Sequence, residues 1–195
     1  VLLEDGEIQV PPFRVVLGDI LVRSQVTKFK KIRFHSHENI GYGDVNLPEE
    51  EMHTRSAMVV FGKETTAGKV LSRFSEEQRT QVLLALGTVY RQIAPFFLLC
   101  DVKDIHVSER LRDPHFSEPT LYFFDQYPGG TGLSEGFQKH LPGIHEAARE
   151  LIRACPCAEG CPSCIGPRDP LAEVTGNPKE SVLQFFQELD EASKV

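Results

Sequence analysis

Cys155-Pro156-Cys157-Ala158-Glu159-Gly160-Cys161-Pro162-Ser163-Cys164 gathers four of the chain's five cysteines into one short stretch. The spacing is C-x-C-x3-C-x2-C. Two chelating pairs joined by a short loop suit a tetrahedral ion, because structural zinc takes four thiolates at about 2.3 Å each and keeps no open position. Gly160 lets the loop reverse without a Cβ clash. Pro156 and Pro162 stiffen it, so ordering it costs less entropy. Disulfides are the competing reading, but Cys155 and Cys157 are too close in sequence to pair comfortably. Zinc and iron–sulfur clusters both use four thiolates. A short knuckle suits a single ion, so the expectation is one Zn²⁺ per chain on Cys155, Cys157, Cys161 and Cys164, with an Fe–S cluster as the alternative. Four thiolates around a divalent ion leave a negative centre, which Arg153, Arg168 and local amides are placed to soften. A closed site of this kind holds structure and activates no water. Cys100 lies in an apolar run and reads as a core residue.

The rest of the composition is that of an ordinary globular protein. The chain has 195 residues, 41% of them hydrophobic and 25% charged. That length buries a core without cysteine staples. No apolar run reaches the length of a membrane span, and the first residues carry no signal-peptide pattern. A first residue of valine rather than methionine points to a piece of a longer protein. Clustered cysteines, an odd cysteine count and no visible export signal favour the reducing cytoplasm.

The net charge is -7 with a pI near 5.5, which argues against a generic basic nucleic-acid binder. The charge is uneven, however. Residues 20–37 contain no acid but carry Arg23, Lys28, Lys30, Lys31 and Arg33. These are the candidate phosphate contacts, with Tyr42 and Phe29 as candidate stacking partners for bases. A solvated edge strand guarded by lysines is the alternative.

The pattern along the chain reads as α+β: an N-terminal antiparallel β region over 1–62, then a mainly helical, zinc-binding part over 63–195. Strands are expected over 19–27, 31–35, 52–61 and 120–125, and a further one within 96–107. Gly41-Tyr42-Gly43-Asp44 reads as a turn. Ser75-Glu76-Glu77-Gln78 is a capping box that opens a helix, which Pro95 is expected to stop or kink. A helix over 132–154 is expected to break at Leu141-Pro142-Gly143. Asn177 followed by Pro178 starts the last helix.

Three further stretches invite a functional reading. Gly62-Lys63-Glu64-Thr65-Thr66-Ala67-Gly68-Lys69-Val70 resembles a phosphate-binding loop but has a five-residue spacer and lacks the hydroxyl after the lysine. A plain surface turn is expected. His35-Ser36-His37-Glu38 lacks a third metal ligand nearby and reads as strand-end polarity. Gly129, Gly130 and Gly132 follow an expected strand and open a helix. They read either as an anion-binding turn or as a tight connection. Asp101, Asp104, Asp125 and Glu135 are the acids from which a nucleic-acid-processing enzyme would build a site. A stand-alone protein-interaction module is the other alternative.

Three stretches together resemble the C-terminal zinc-binding domain of the MrfA-type (mitomycin repair factor A) superfamily 2 DNA-repair helicases. They are His37-Glu38-Asn39-Ile40-Gly41-Tyr42-Gly43, then Tyr127-Pro128-Gly129-Gly130-Thr131-Gly132-Leu133-Ser134-Glu135, then the cysteine stretch. The resemblance runs from about residue 18 to 166. It implies zinc on the four cysteines and a place behind two RecA-like motor domains of the same chain. It also implies an ATP-dependent 3′→5′ DNA helicase acting in DNA repair, with single-stranded DNA as a partner. Neither a true P-loop nor a DEAH-like box occurs in these residues, so the motor chemistry would belong to the rest of such a protein.

Overall fold

A computed structural model describes residues 1–166 and 176–194. Its elements run β1 (Leu3–Val10), β2 (Phe13–Ser24), β3 (Lys28–Ile32), β4 (Asn39–Asp44), β5 (Glu50–Val60), α1 (Thr66–Leu71), α2 (Glu76–Leu98), β6 (Ile105–Arg110), β7 (Thr120–Asp125), α3 (Leu133–Ala154) and α4 (Pro178–Ala192). The fold is α+β, with an antiparallel sheet first and helices after it. The main sheet has the order β1-β2-β5-β7-β6, and every neighbouring pair is antiparallel. β3 and β4 form a separate two-stranded ribbon. The main sheet therefore crosses the expected boundary at 62, because β7 pairs with β5 from beyond two helices.

Side chains alternate along each strand, as a pleated sheet with two covered faces requires. Val15, Ala57, Val59, Leu121 and Phe123 face the helices and join the main core. Val16, Ile20, Met58, Val60 and Phe124 face the other way and form a smaller cluster with Phe116 and Tyr122. On the helical side, α2 contributes Val82, Leu83, Leu86, Val89 and Tyr90, all fully buried. α2 is the one helix among the described residues long and apolar enough to cross a membrane, and its apolar stripe is spent on this core.

α2 and α3 cross closely because Gly136 lies against Leu98 and Gly143 against Phe97. That crossing fixes the direction of α3, whose last residue runs directly into the cysteine loop. α4 then packs against α1, α2 and α3 and returns the chain to the same loop.

Several local expectations need correction. β1 is an edge strand with a mostly polar sequence, outside the expected set. Gly41 to Asp44 is strand, not turn: Gly43 lies beneath the Phe29 ring, whose atoms would sit 2.5 Å from a Cβ there. Pro95 and Pro142 both sit inside continuous helices. The apolar run at 96–98 ends α2, and the strand expected there begins only at Ile105. The phosphate-loop look-alike is the start of α1, where the Thr65 side chain caps the Gly68 amide. A Cβ at Gly68 would meet the Gly62 carbonyl at 2.0 Å, so both glycines serve chain packing rather than a phosphate cradle.

Candidate metal centre

The four sulfurs of Cys155, Cys157, Cys161 and Cys164 all lie within 4.8 Å of one another. Four of the edges measure 3.5 Å (Cys155–Cys157), 3.6 Å (Cys155–Cys161), 3.5 Å (Cys157–Cys164) and 3.7 Å (Cys161–Cys164). A tetrahedron with zinc–sulfur bonds of 2.3 Å has edges of about 3.8 Å. The donor set and its spacing therefore fit one four-coordinate ion. Among the described residues this is the one place where three or more metal-ligating side chains converge.

The loop is built by its own backbone. The Cys164 and Gly166 amides donate to the Cys161 carbonyl at 3.0 and 3.1 Å, and the Cys161 amide donates to Cys164 Sγ at 3.3 Å. Gly160 takes φ +118°, and a Cβ there would strike Ile165. Gln92 of α2 donates to the Pro162 carbonyl at 3.2 Å. The four thiols differ in environment. Burial pushes Cys164 up to about 12. At Cys157 burial also disfavours the thiolate, but hydrogen bonds from Cys155, Cys164, the Gly160 amide and Cys161 outweigh it and draw the group down to about 7.

Of the groups the sequence suggested, the Cys161 amide does reach a sulfur, but Arg153 does not serve the loop. Arg153 is turned to Asp190, 2.7 Å away, together with Arg149. Arg168 lies outside the described residues. Among the described residues the cation at the loop is Lys179, in the first turn of α4, whose Nζ donates to the Cys155 and Cys157 carbonyls at 2.5 and 2.6 Å. It also lies 3.5 Å from Cys157 Sγ. Asn177, expected only as a helix cap, caps the Lys179 and Glu180 amides and also donates to the Ala158 carbonyl at 3.1 Å. One signal was available in the sequence: a lysine in the first helical turn is opposed by the helix dipole, so its presence there asks for an anion.

The glycine turn at 129–132 is a different object from the expected anion site. Gly129, Gly130 and Gly132 have φ of +78°, +79° and +89°. The anion the turn holds is the chain's own Asp125, fully buried at the end of β7. Its carboxylate accepts from the Thr131, Leu133 and Ser134 amides and from both hydroxyls of Thr131 and Ser134. The Gly129 and Gly130 amides donate to the His53 and Tyr127 carbonyls. The alternative of an acidic catalytic site also loses its parts. Asp125 is committed to the turn, Glu135 pairs with Arg55 at 2.8 Å, and Asp104 accepts from the Tyr127 hydroxyl and the Asp101 amide.

The basic candidates split in two. Arg23 pairs with Glu49 and Glu51, and Arg33 with Glu38. Lys28, Lys30 and Lys31 stand on β3, which is exposed along its whole length. Lys30 faces Tyr42 across the ribbon, and Lys31 lies over the Phe29 ring at 5.7 Å from its centre. Tyr42 is 59% exposed and Phe34, in the connection, 84%. His35 and His37 lie in that same exposed connection.

Residues 86–165 match the model of the MrfA Zn-binding domain. A Bacillus subtilis (strain 168) protein described as "Uncharacterized ATP-dependent helicase YprA" is 40% identical over 173 residues, covering 88% of this chain and 22% of its own length. A Methanocaldococcus jannaschii protein, MJ1572.1, is 31% identical over 77 residues, 38% of this chain and 69% of that protein. The crystal structure of the DUF1998 helicase MrfA bound to DNA superposes with a TM-score of 0.70 at 37% identity, over 97% of this chain and 24% of the helicase. The chain thus spans less than a quarter of the helicases it resembles. It belongs to the family of the MrfA Zn-binding domain.

Proposed function

We propose that this chain is the zinc-carrying segment of a cytoplasmic ATP-dependent DNA helicase that acts in DNA repair with 3′→5′ polarity. In this reading Cys155, Cys157, Cys161 and Cys164 hold one Zn²⁺, which cross-links the end of α3 to the following loop. The chain braces the ATP-binding motor domains of the same protein, and the β3–β4 ribbon touches single-stranded DNA. The observation that carries the reading is the sulfur tetrahedron, with edges that suit one ion better than a cluster whose several irons would spread the thiolates. Its likeness to a helicase solved with DNA supports the rest.

For the ribbon, Lys28, Lys30 and Lys31 supply charge to phosphates, while Phe29 and Tyr42 supply flat faces to bases. Two measurements test the reading together. Metal analysis with an absorption spectrum should give one zinc and no colour; iron and a brown solution would overturn the single-ion assignment. Binding of a labelled single-stranded oligonucleotide should weaken with salt. Replacing the three lysines by glutamine should flatten that salt slope by about 0.7 per lost phosphate contact. An unchanged slope would remove the ribbon from the DNA path and leave the metal assignment standing.

A further inference from the structure

The cysteine loop carries more charge than its own residues balance. Four thiolates around a divalent ion sum to -2, and the loop itself adds Glu159. A charge of that size near the core must be compensated or it is costly. The loop's amides reach only part of it, since the Cys161 amide serves Cys164. Arg153 is spent on Asp190. Lys179 is the exception: it is only 5% exposed, and among the described residues no carboxylate lies within ion-pair distance of it. Its ammonium is instead held by two carbonyls of the loop and set beside Cys157 Sγ. A buried ammonium with carbonyls and a thiolate as its partners is half of an ion pair whose other half is the metal–thiolate group.

We infer that Lys179 is the counter-ion of the thiolate metal centre, and that through it α4, which lies beyond the family-model match at 86–165, is part of the metal site. This rests on the metal assignment proposed above. Lys179 touches no ion; it positions the loop through the Cys155 and Cys157 carbonyls and lowers the field at the sulfurs. Asn177 supplies a neutral second clamp between α4 and Ala158. The metal and α4 are then coupled: loading the loop fixes the helix start, and loosening the helix start exposes the thiolates.

The test uses the purified chain loaded with zinc. Lys179→Gln keeps a donor but removes the charge. It should weaken zinc retention against a chromogenic chelator about 10- to 100-fold, the range seen for residues that support metal ligands. It should also speed alkylation of the zinc-loaded thiolates by N-ethylmaleimide, because an uncompensated thiolate is the better nucleophile. Asn177→Ala loosens the same helix start without changing charge and should speed alkylation less than Lys179→Gln does; an equal or larger effect would overturn the role of the charge. Retention and alkylation unchanged in Lys179→Gln would overturn the inference. A second measurement needs no variant: acylation of amines, read by peptide mass, should leave Lys179 protected in the loaded chain and label it after chelation, with exposed Lys28 as reference. Equal labelling in both states would overturn the inference. A chain that takes up no metal at all would instead overturn the metal assignment.

Discussion

α3 is held at its two ends in opposite ways. At its start, the free amides of the first turn meet Asp125, a carboxylate supplied by β7 of the same chain. At its end, four cysteine sulfurs converge with the spacing of ligands to one ion. The first junction is complete once β7 and α3 are formed. The second is a set of thiols that surrender their protons when a cation arrives, since only thiolates ligate it. One end of the helix is thus encoded fully in the sequence, while the other is encoded as a demand for something outside it.

The largest expected effect breaks the metal end alone. Cys161→Ser, or chelation of the wild type, should release the ion and undock α4. Structural zinc binding is worth about 10–16 kcal/mol in small finger peptides, so losing even part of it rivals the roughly 5–15 kcal/mol that holds a typical domain together. Limited proteolysis should then cut within 155–177, while hydrogen exchange at the Thr131–Ser134 amides stays slow. Simultaneous loss of both would show that the two ends are not independent.

The converse experiment is Asp125→Ala. It leaves five donors unpaired, of which the two of Ser134 are buried, each of these costing about 1–3 kcal/mol. The predicted loss is roughly 2–4 kcal/mol in urea melts, with zinc content unchanged. Asp125→Asn should cost nearly as much, because its NH₂ would point at donors.

Between the two ends lies His145, buried, with Nδ1 hydrogen-bonded to the Tyr90 hydroxyl at 2.5 Å. Burial holds it down to about 3, well below 6.5. The unfolded chain therefore takes up the proton first. The stability this gives is whole above about pH 6.5 and falls as pH drops toward 3, by up to about 1.4 kcal/mol per unit. Urea melts at pH 7 and pH 5 should differ by about 1–2 kcal/mol from this group. His145→Asn should flatten the dependence, leaving the acid loss from thiolate protonation at the metal end and from His106 and Asp190, which are also held below their ordinary values.

The smallest test applies one change to both ends. Gly132→Ala meets open space at φ +89° and should cost about 1 kcal/mol of backbone strain. Gly160→Ala adds a collision with Ile165 at 2.7 Å and should cost more, and its cost should shrink when zinc is removed.

This asymmetry also decides what could be read in advance. The four-cysteine cluster was legible because metal-binding patterns fix residue type and spacing together. The capping box at Ser75 and the Asn177-Pro178 start were legible because a helix end is a local matter. The bounds of β7 were legible from its β-branched and aromatic run. What escaped depended on distant partners. β1 is polar and becomes a strand only because β2 lies beside it. Gly41 and Gly43 look like a turn until the Phe29 ring is placed over the second of them. Asp125 was open to a catalytic reading as an alternative, because a catalytic acid and a helix cap are the same letter. Lys179 lies outside the cysteine stretch and enters the site only when α4 folds back.

The ribbon raises a matter of topology. β2 and β5 remain paired as far as Ser24 and Glu50, so the residues that flank the insertion at 25–49 are neighbours across a ladder. The main sheet needs nothing from those residues but a reversal of direction, which two residues such as Asn-Gly achieve. The segment is in that sense a detachable accessory on a closed hairpin. It can be shortened, exchanged or grafted with little charge to the sheet, since loop-closure entropy varies only slowly with length. A change in the length of this segment should therefore leave the sheet and its helices as they are.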